Sequence, residues 1–141
     1  MREPPVTRRD FQRLADLRAR EAGVLARSRN QQGAFYLGGY AIECALKARI
    51  ARETRRHEFP PKKSFVRAVY SHDLENLLKL AGLQDQLEKD MKANPGLAAN
   101  WGVVKSWKEE SRYVTSGLKG KDFFDAIVGP DGVLPWIKQR W

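Results

Sequence analysis

The stretch Ala34 to Glu53, AFYLGGYAIECALKARIARE, contains no proline and is rich in Ala, Leu and Ile. Placed on an α-helix at about 100° per residue, Leu37, Ala41, Ala45 and Ala48 fall on one side and Phe35, Ile42 and Leu46 on a second. A helix that is apolar on more than one side belongs in the middle of a domain. The same geometry brings Tyr36, Tyr40, Glu43 and Lys47 to within about 60° of one another, so a nearly apolar helix carries one narrow polar stripe. A carboxylate and an ammonium on such a helix must pair with each other or face a groove, and both readings remain open. Gly38 and Gly39 weaken the helix and predict a close approach by another helix at that point.

The chain has 141 residues, enough for one domain with its own core and no need of disulfides or metals. Residues 1–6, with Pro4 and Pro5, read as a flexible N-terminus and residues 7–141 as a single helical domain. The one cysteine, Cys44, lies inside the central helix and reads as a small core residue. There is no CxxC, HExxH, P-loop or GxGxxG motif, and the two histidines, His57 and His72, are too few for a metal site, so neither metal nor cofactor is expected. With no signal peptide and no apolar run of membrane length, the sequence reads as a soluble cytoplasmic protein.

The formal net charge is +9, and all of the excess lies in the first half, which has 16 Lys and Arg against 7 Asp and Glu. Much of it is concentrated in Arg49, Arg52, Arg55, Arg56, Lys62, Lys63 and Arg67. Such a cluster suits a polyanion, through phosphate contacts and counterion release, and is weighed against an ordinary solvated surface.

Thr7 and Asp10 form a capping-box pattern before Phe11, Leu14, Ala15, Ala22, Leu25 and Ala26, which predicts an amphipathic helix from Arg8 to Arg27 paired antiparallel with the central one. Residues 57–70, with Pro60 and Pro61, read as a loop containing at most a short turn. Ser71 or Asp73 then caps a helix whose buried face is Leu74, Leu77, Leu78 and Ala81 and whose stop is Gly82. Leu83, Leu87 and Met91 continue at helical spacing to Asn94, where Pro95 and Gly96 end the segment. Leu97 to Lys108 follows as a helix striped by Leu97, Trp101, Val104 and Trp107. Turn chemistry fills residues 109–120, Lys121–Val128 reads as helical, and the tail forms a last short helix with proline in its first turn. The four tryptophans, at 101, 107, 136 and 141, could stack bases, but their spacing favours core or dimer packing. No strand alternation occurs, and the fold class is all-α: an up-and-down antiparallel helical bundle of four main helices with short extra ones.

Three separated segments resemble the HEPN domains, the higher eukaryotes and prokaryotes nucleotide-binding family. AIECALKA (Ala41 to Ala48) is similar to the family's acidic helix motif, YSHDLENLLKLAG (Tyr70 to Gly82) to its HDL helix, and SRY (Ser111 to Tyr113) to the motif that follows a later helix. The resemblance covers residues 30 to 115 in the family's order and points to a small stand-alone prokaryotic member. It implies a helical bundle, commonly a homodimer, with a groove for nucleotide or RNA phosphate, in some members within toxin-antitoxin or defence systems. Arg112 would correspond to the family's arginine, Glu43 to its acidic helix residue and Lys47 to the lysine one turn on.

Many members cut RNA without a metal through an arginine followed four to six residues later by histidine. Here Tyr113 to Lys119 contains no histidine, so the usual nuclease site is missing. Arg52 and His57 satisfy the spacing at another place, and His72 reads as a helix cap or a contact to a neighbouring side chain. The resulting expectation is a binding module with Tyr36, Tyr40, Glu43, Lys47, Arg112 and Tyr113 at the ligand and Arg49, Arg52, Arg55, Arg56, Lys62 and Lys63 as a nucleic-acid surface. The alternatives are a metal-independent endoribonuclease using Arg112, His57 or His72, and a non-catalytic adaptor for a nucleotidyltransferase or antitoxin partner.

Overall fold

The computed structural model describes residues 6–54 and 63–141. Among them the fold is all-α, with helices α1 (Arg8–Arg27), α2 (Gln31–Thr54), α3 (Lys63–Val69), α4 (Leu74–Leu80), α5 (Gln84–Ala93), α6 (Pro95–Val104), α7 (Gly120–Val128) and α8 (Val133–Lys138). A 3₁₀ turn, Glu109–Tyr113, lies between α6 and α7. In place of four main helices, the described residues hold one long hairpin, of 20 and 24 residues, and a set of helices of ten residues or fewer packed around it. Arg55, Arg56, His57 and Lys62, and the looseness expected of residues 1–5, lie outside the described residues.

The hairpin forms for local reasons. Thr7 Oγ1 accepts from Asp10 N at 3.1 Å while Asp10 returns an acceptor to Thr7 N at 2.9 Å, so the expected capping box opens α1. At its far end Arg29 adopts φ 63°, the left-handed position usually given to glycine. Asn30 N then reaches back to Leu25 O at 2.8 Å and the chain reverses within three residues. Ala15, Ala19, Ala22 and Ala26 of α1 are buried, which lets the two helices approach closely. Helix α2 starts at Gln31 rather than Ala34, because Gln31 and Gln32 find partners across the fold. Gln31 Oε1 accepts from Lys121 N at 2.9 Å, capping α7, and Gln32 Nε2 donates to Thr115 O at 2.6 Å.

Eleven residues of α2 are buried, consistent with a central helix surrounded by α1, α4, α7, α8 and the 3₁₀ turn. The close approach foreseen at its glycine pair occurs, though one of the neighbours is a side chain and not a helix. A Cβ on Gly39 would lie 2.2 Å from the Trp107 indole, and one on Gly38 would lie 2.9 Å from Ile127 of α7. Trp101, Trp107 and Trp136 are buried and Trp141 is half-buried, so the first three belong to the core.

Two further segments differ from expectation. Lys63–Val69 is a two-turn helix where a loop was expected, with Val69 resting on the core: tertiary contact stabilises a segment whose own periodicity is weak. Helix α6 begins at Pro95 and ends at Val104, shorter than the expected Leu97 to Lys108. Asn94 Oδ1 caps it by accepting from Leu97 N at 3.2 Å, and the chain leaves the helix at Lys105 so that Trp107 can turn inward over Gly39. No described helix is long and apolar enough to cross a membrane.

Candidate functional site

The polar stripe of α2 ends up against two other segments. Glu43 is 3% exposed, and its Oε2 accepts from Lys47 Nζ at 3.2 Å, the expected pair one turn apart. Its second oxygen, Oε1, is 2.8 Å from His72 Nδ1, at the entrance to α4. His72 Nε2 lies 3.1 Å from Glu109 Oε2 on the 3₁₀ turn. Glu109 Oε1 in turn accepts from Arg112 Nη1 at 3.1 Å. Lys47, Glu43, His72, Glu109 and Arg112 therefore form one continuous chain of charged and hydrogen-bonding groups drawn from three elements.

His72 is not the helix cap: Asp73 takes that role, its Oδ1 accepting from Asn76 N at 3.1 Å. The imidazole instead lies between two carboxyl groups, Glu43 at its Nδ1 and Glu109 at its Nε2. The ring is 42% exposed and borders an open groove of about 580 Å³ lined also by Asp73, Lys105, Trp107, Lys108 and Glu109. Glu43 thus anchors the ring from inside the fold, while Glu109 meets it from the solvent side.

At the outer end, the Arg112 guanidinium lies 4.8 Å from the centre of the Tyr113 ring, which is 71% exposed. Contacts with the Tyr113 and Tyr36 side chains hold Arg112 above the ordinary arginine value, so it remains a fixed cation. Tyr36 also packs 6.2 Å from Trp107 and 6.2 Å from Tyr40, ring centre to ring centre. Burial, with the neighbouring Cys44 and Glu43, pushes the Tyr40 hydroxyl up, and Arg18 lies 6.0 Å from its ring. Burial also pushes the Cys44 thiol up to about 12, which keeps it protonated and unreactive. In the same corner Trp107 Nε1 and Ser111 Oγ are buried without a hydrogen-bond partner among the described residues.

Tyr36, Tyr40, Glu43, Lys47, Arg112 and Tyr113 are thus brought into one neighbourhood, together with His72. Glu109 is the member that sequence reasoning missed. Its signal was only its position three residues before Arg112, the spacing at which two side chains meet on a helical turn. The basic residues at the end of α2 are elsewhere and differently employed. Arg49 Nη1 and Arg52 Nη1 both donate to Arg140 O, at 2.8 and 3.1 Å, and Arg49 also pairs with Glu53 at 3.2 Å. They tie α2 to the segment after α8. Lys63 is exposed. Among the described residues no group of three His, Cys, Asp or Glu side chains is placed to hold a metal ion. Comparison of the chain with protein-family models, curated proteins and solved structures returns no match.

Proposed function

We propose that this chain is a HEPN-like domain that binds a nucleotide or RNA phosphate, acting in the cytoplasm as a homodimer. The observation that carries the reading is the Glu43–His72–Glu109–Arg112 chain, since a residue from each of the three segments that carry the family resemblance meets in it, and its two middle members, His72 and Glu109, border the groove. Arg112 is the anion-binding group. It is 44% exposed, and Glu109 is its one ion-pair partner among the described residues, so an incoming phosphate can take it over by forming the stronger bidentate contact. Tyr113, exposed beside it, offers a ring face for a base. Lys47, 11% exposed and paired with Glu43, supports the network from within and does not reach the ligand in this arrangement.

The test is a titration of end-labelled RNA in the presence of a chelator at two salt concentrations. A salt-sensitive complex with intact RNA is expected, weakened about tenfold in Arg112→Ala, the size of one lost charge-assisted contact. Unaltered binding by Arg112→Ala would remove the groove from the reading. Its melting temperature is expected to stay near wild type because the side chain is largely exposed; a large loss would favour the adaptor alternative, in which the network is purely structural.

One observation favours the endoribonuclease as a second reading. The histidine missing after Arg112 in sequence is supplied in space by His72, joined to Arg112 through Glu109. If phosphate draws Arg112 away and Glu109 swings off the ring, His72 Nε2 is freed toward the ligand while Nδ1–H donates to Glu43. It could then take the proton of a ribose 2′-OH as that oxygen bonds to phosphorus and the P–O5′ bond breaks, the departing 5′-oxygen taking its proton from water. RNA fragments ending in a cyclic phosphate, persisting with chelator and lost in His72→Gln, would establish it; intact RNA under the same conditions would exclude it.

A further inference from the structure

The cluster at the end of α2 was the obvious polyanion surface in the sequence, yet Arg49 and Arg52 are committed to holding the fold together. A different set of cations is at liberty. Along α1, residues Arg9, Arg13, Leu17, Arg20, Val24 and Arg27 are all exposed, and they recur at intervals of three and four. At about 100° per residue they lie within about 80° of one another, so they form one stripe. Arg9 and Arg27 are about 27 Å apart along the helix axis at about 1.5 Å per residue.

None of these four arginines has a hydrogen-bond or ion-pair partner among the described residues, whereas Arg8 and Arg18 of the same helix do, with Trp141 O and Glu21. The stripe is also rigid. It is opened by the Thr7–Asp10 capping box and backed by Ala15, Ala19, Ala22 and Ala26 against the rest of the fold.

We propose that this face of α1 is a docking surface for the phosphate backbone of a nucleic acid, with Arg9, Arg13, Arg20 and Arg27 each contacting phosphate. Four cations in a row, without hydrogen-bond or ion-pair partners among the described residues, present a positive field over the length of several nucleotides, and releasing the nucleic acid's counterions drives the association. The composition of the stripe argues against the other occupants. A helix lying in a lipid surface buries a broad face of bulky apolar residues. Here the apolar face of α1 is already used inside the fold, and only Leu17 and Val24, 41% and 56% exposed, remain outside. A second copy of the chain would set the same four arginines against their own kind and repel. The choice of RNA as the nucleic acid rests on the function proposed above; the phosphate contacts do not depend on it.

The experiment is fluorescence anisotropy of a short labelled single-stranded RNA with the full chain over a series of salt concentrations. It compares wild type, Arg112→Ala and a variant with Gln at positions 9, 13, 20 and 27. Losing four phosphate contacts is expected to reduce the slope of log affinity against log salt by about 3, and Arg20→Gln alone by about 0.7. Lys at the same four positions is expected to restore the slope, because a phosphate contact needs charge more than shape. Circular dichroism melting of the Gln variant should match wild type. An unchanged slope overturns the proposal, as does a wild-type chain that binds no RNA. A change confined to the oligomeric state, or to binding of phosphatidylserine vesicles, overturns it too. If the slope falls in the Gln variant while Arg112→Ala binds as wild type does, the docking surface stands and the groove reading alone is lost.

Discussion

The two long helices lie side by side and treat their charges in opposite ways. Helix α2 is enclosed, so each charged side chain on it has a protein partner: Glu43 with Lys47 and His72, Arg49 with Glu53 and Arg140 O, Arg52 with Arg140 O. Helix α1 covers one side of the domain, and its outer arginines meet solvent. The cause is the cost of burial. An ionised group removed from water must be compensated, whereas one left in water need not be. Counting positive residues along the chain therefore singles out Arg49 and Arg52, which have protein partners, whereas counting partners singles out the outer arginines of α1.

The largest expected effect comes from breaking the enclosed side. Glu43→Ala leaves Lys47 and His72 without their shared carboxylate and is expected to cost about 3 to 5 kcal/mol in urea unfolding. A loss below about 1 kcal/mol would mean that water reaches the stripe and that the contrast between the helices is overstated. Next, Gly39→Ala places a methyl group where Trp107 already sits and is expected to cost about 1 to 3 kcal/mol through forced repacking. Its intrinsic fluorescence should shift as the indole is displaced, and an unshifted spectrum would show that the close approach is not needed.

On α1, Thr7→Ala removes the cap and is expected to cost about 1 kcal/mol. The same box carries a pH dependence. Hydrogen bonds from the Thr7 backbone and hydroxyl lower the Asp10 carboxyl below its ordinary 3.8. Its contribution is therefore complete above 3.8 and lost as the pH falls through the lower folded value. Acid titration of thermal stability should show this loss in wild type and not in Asp10→Asn. The smallest effect belongs to the outer stripe: Arg20→Gln is expected to change stability by no more than about 0.5 kcal/mol. A larger loss would make α1 resemble α2 and remove its arginines from consideration as a binding surface.

The long hairpin was legible because its signals are local. The capping box, the alternating apolar positions of α1 and the apolar surround of α2 each act within a few turns of chain. Gly82, at φ 71°, ends α4 as its position after LENLLKLA suggests. The polar stripe was legible for the same reason, since Tyr36, Tyr40, Glu43 and Lys47 share a face by helix geometry alone. Lys63–Val69 was missed because its helix relies on packing against the core. The end of α6 was missed because Trp107 continues the apolar spacing although the helix has already stopped.

Sequence alone therefore determined the helical class, the central position of α2, the cap of α1 and the residues able to carry a site. Tertiary structure decided which of those residues meet. His72 and Glu109 are 37 positions apart and come together only because α4 and the 3₁₀ turn both pack on α2. The same packing occupies Arg49 and Arg52 and leaves the outer arginines of α1 without hydrogen-bond or ion-pair partners among the described residues. Periodicity and capping are properties of neighbouring residues, whereas pairing and exposure depend on what the rest of the chain brings alongside, and no local rule contains that.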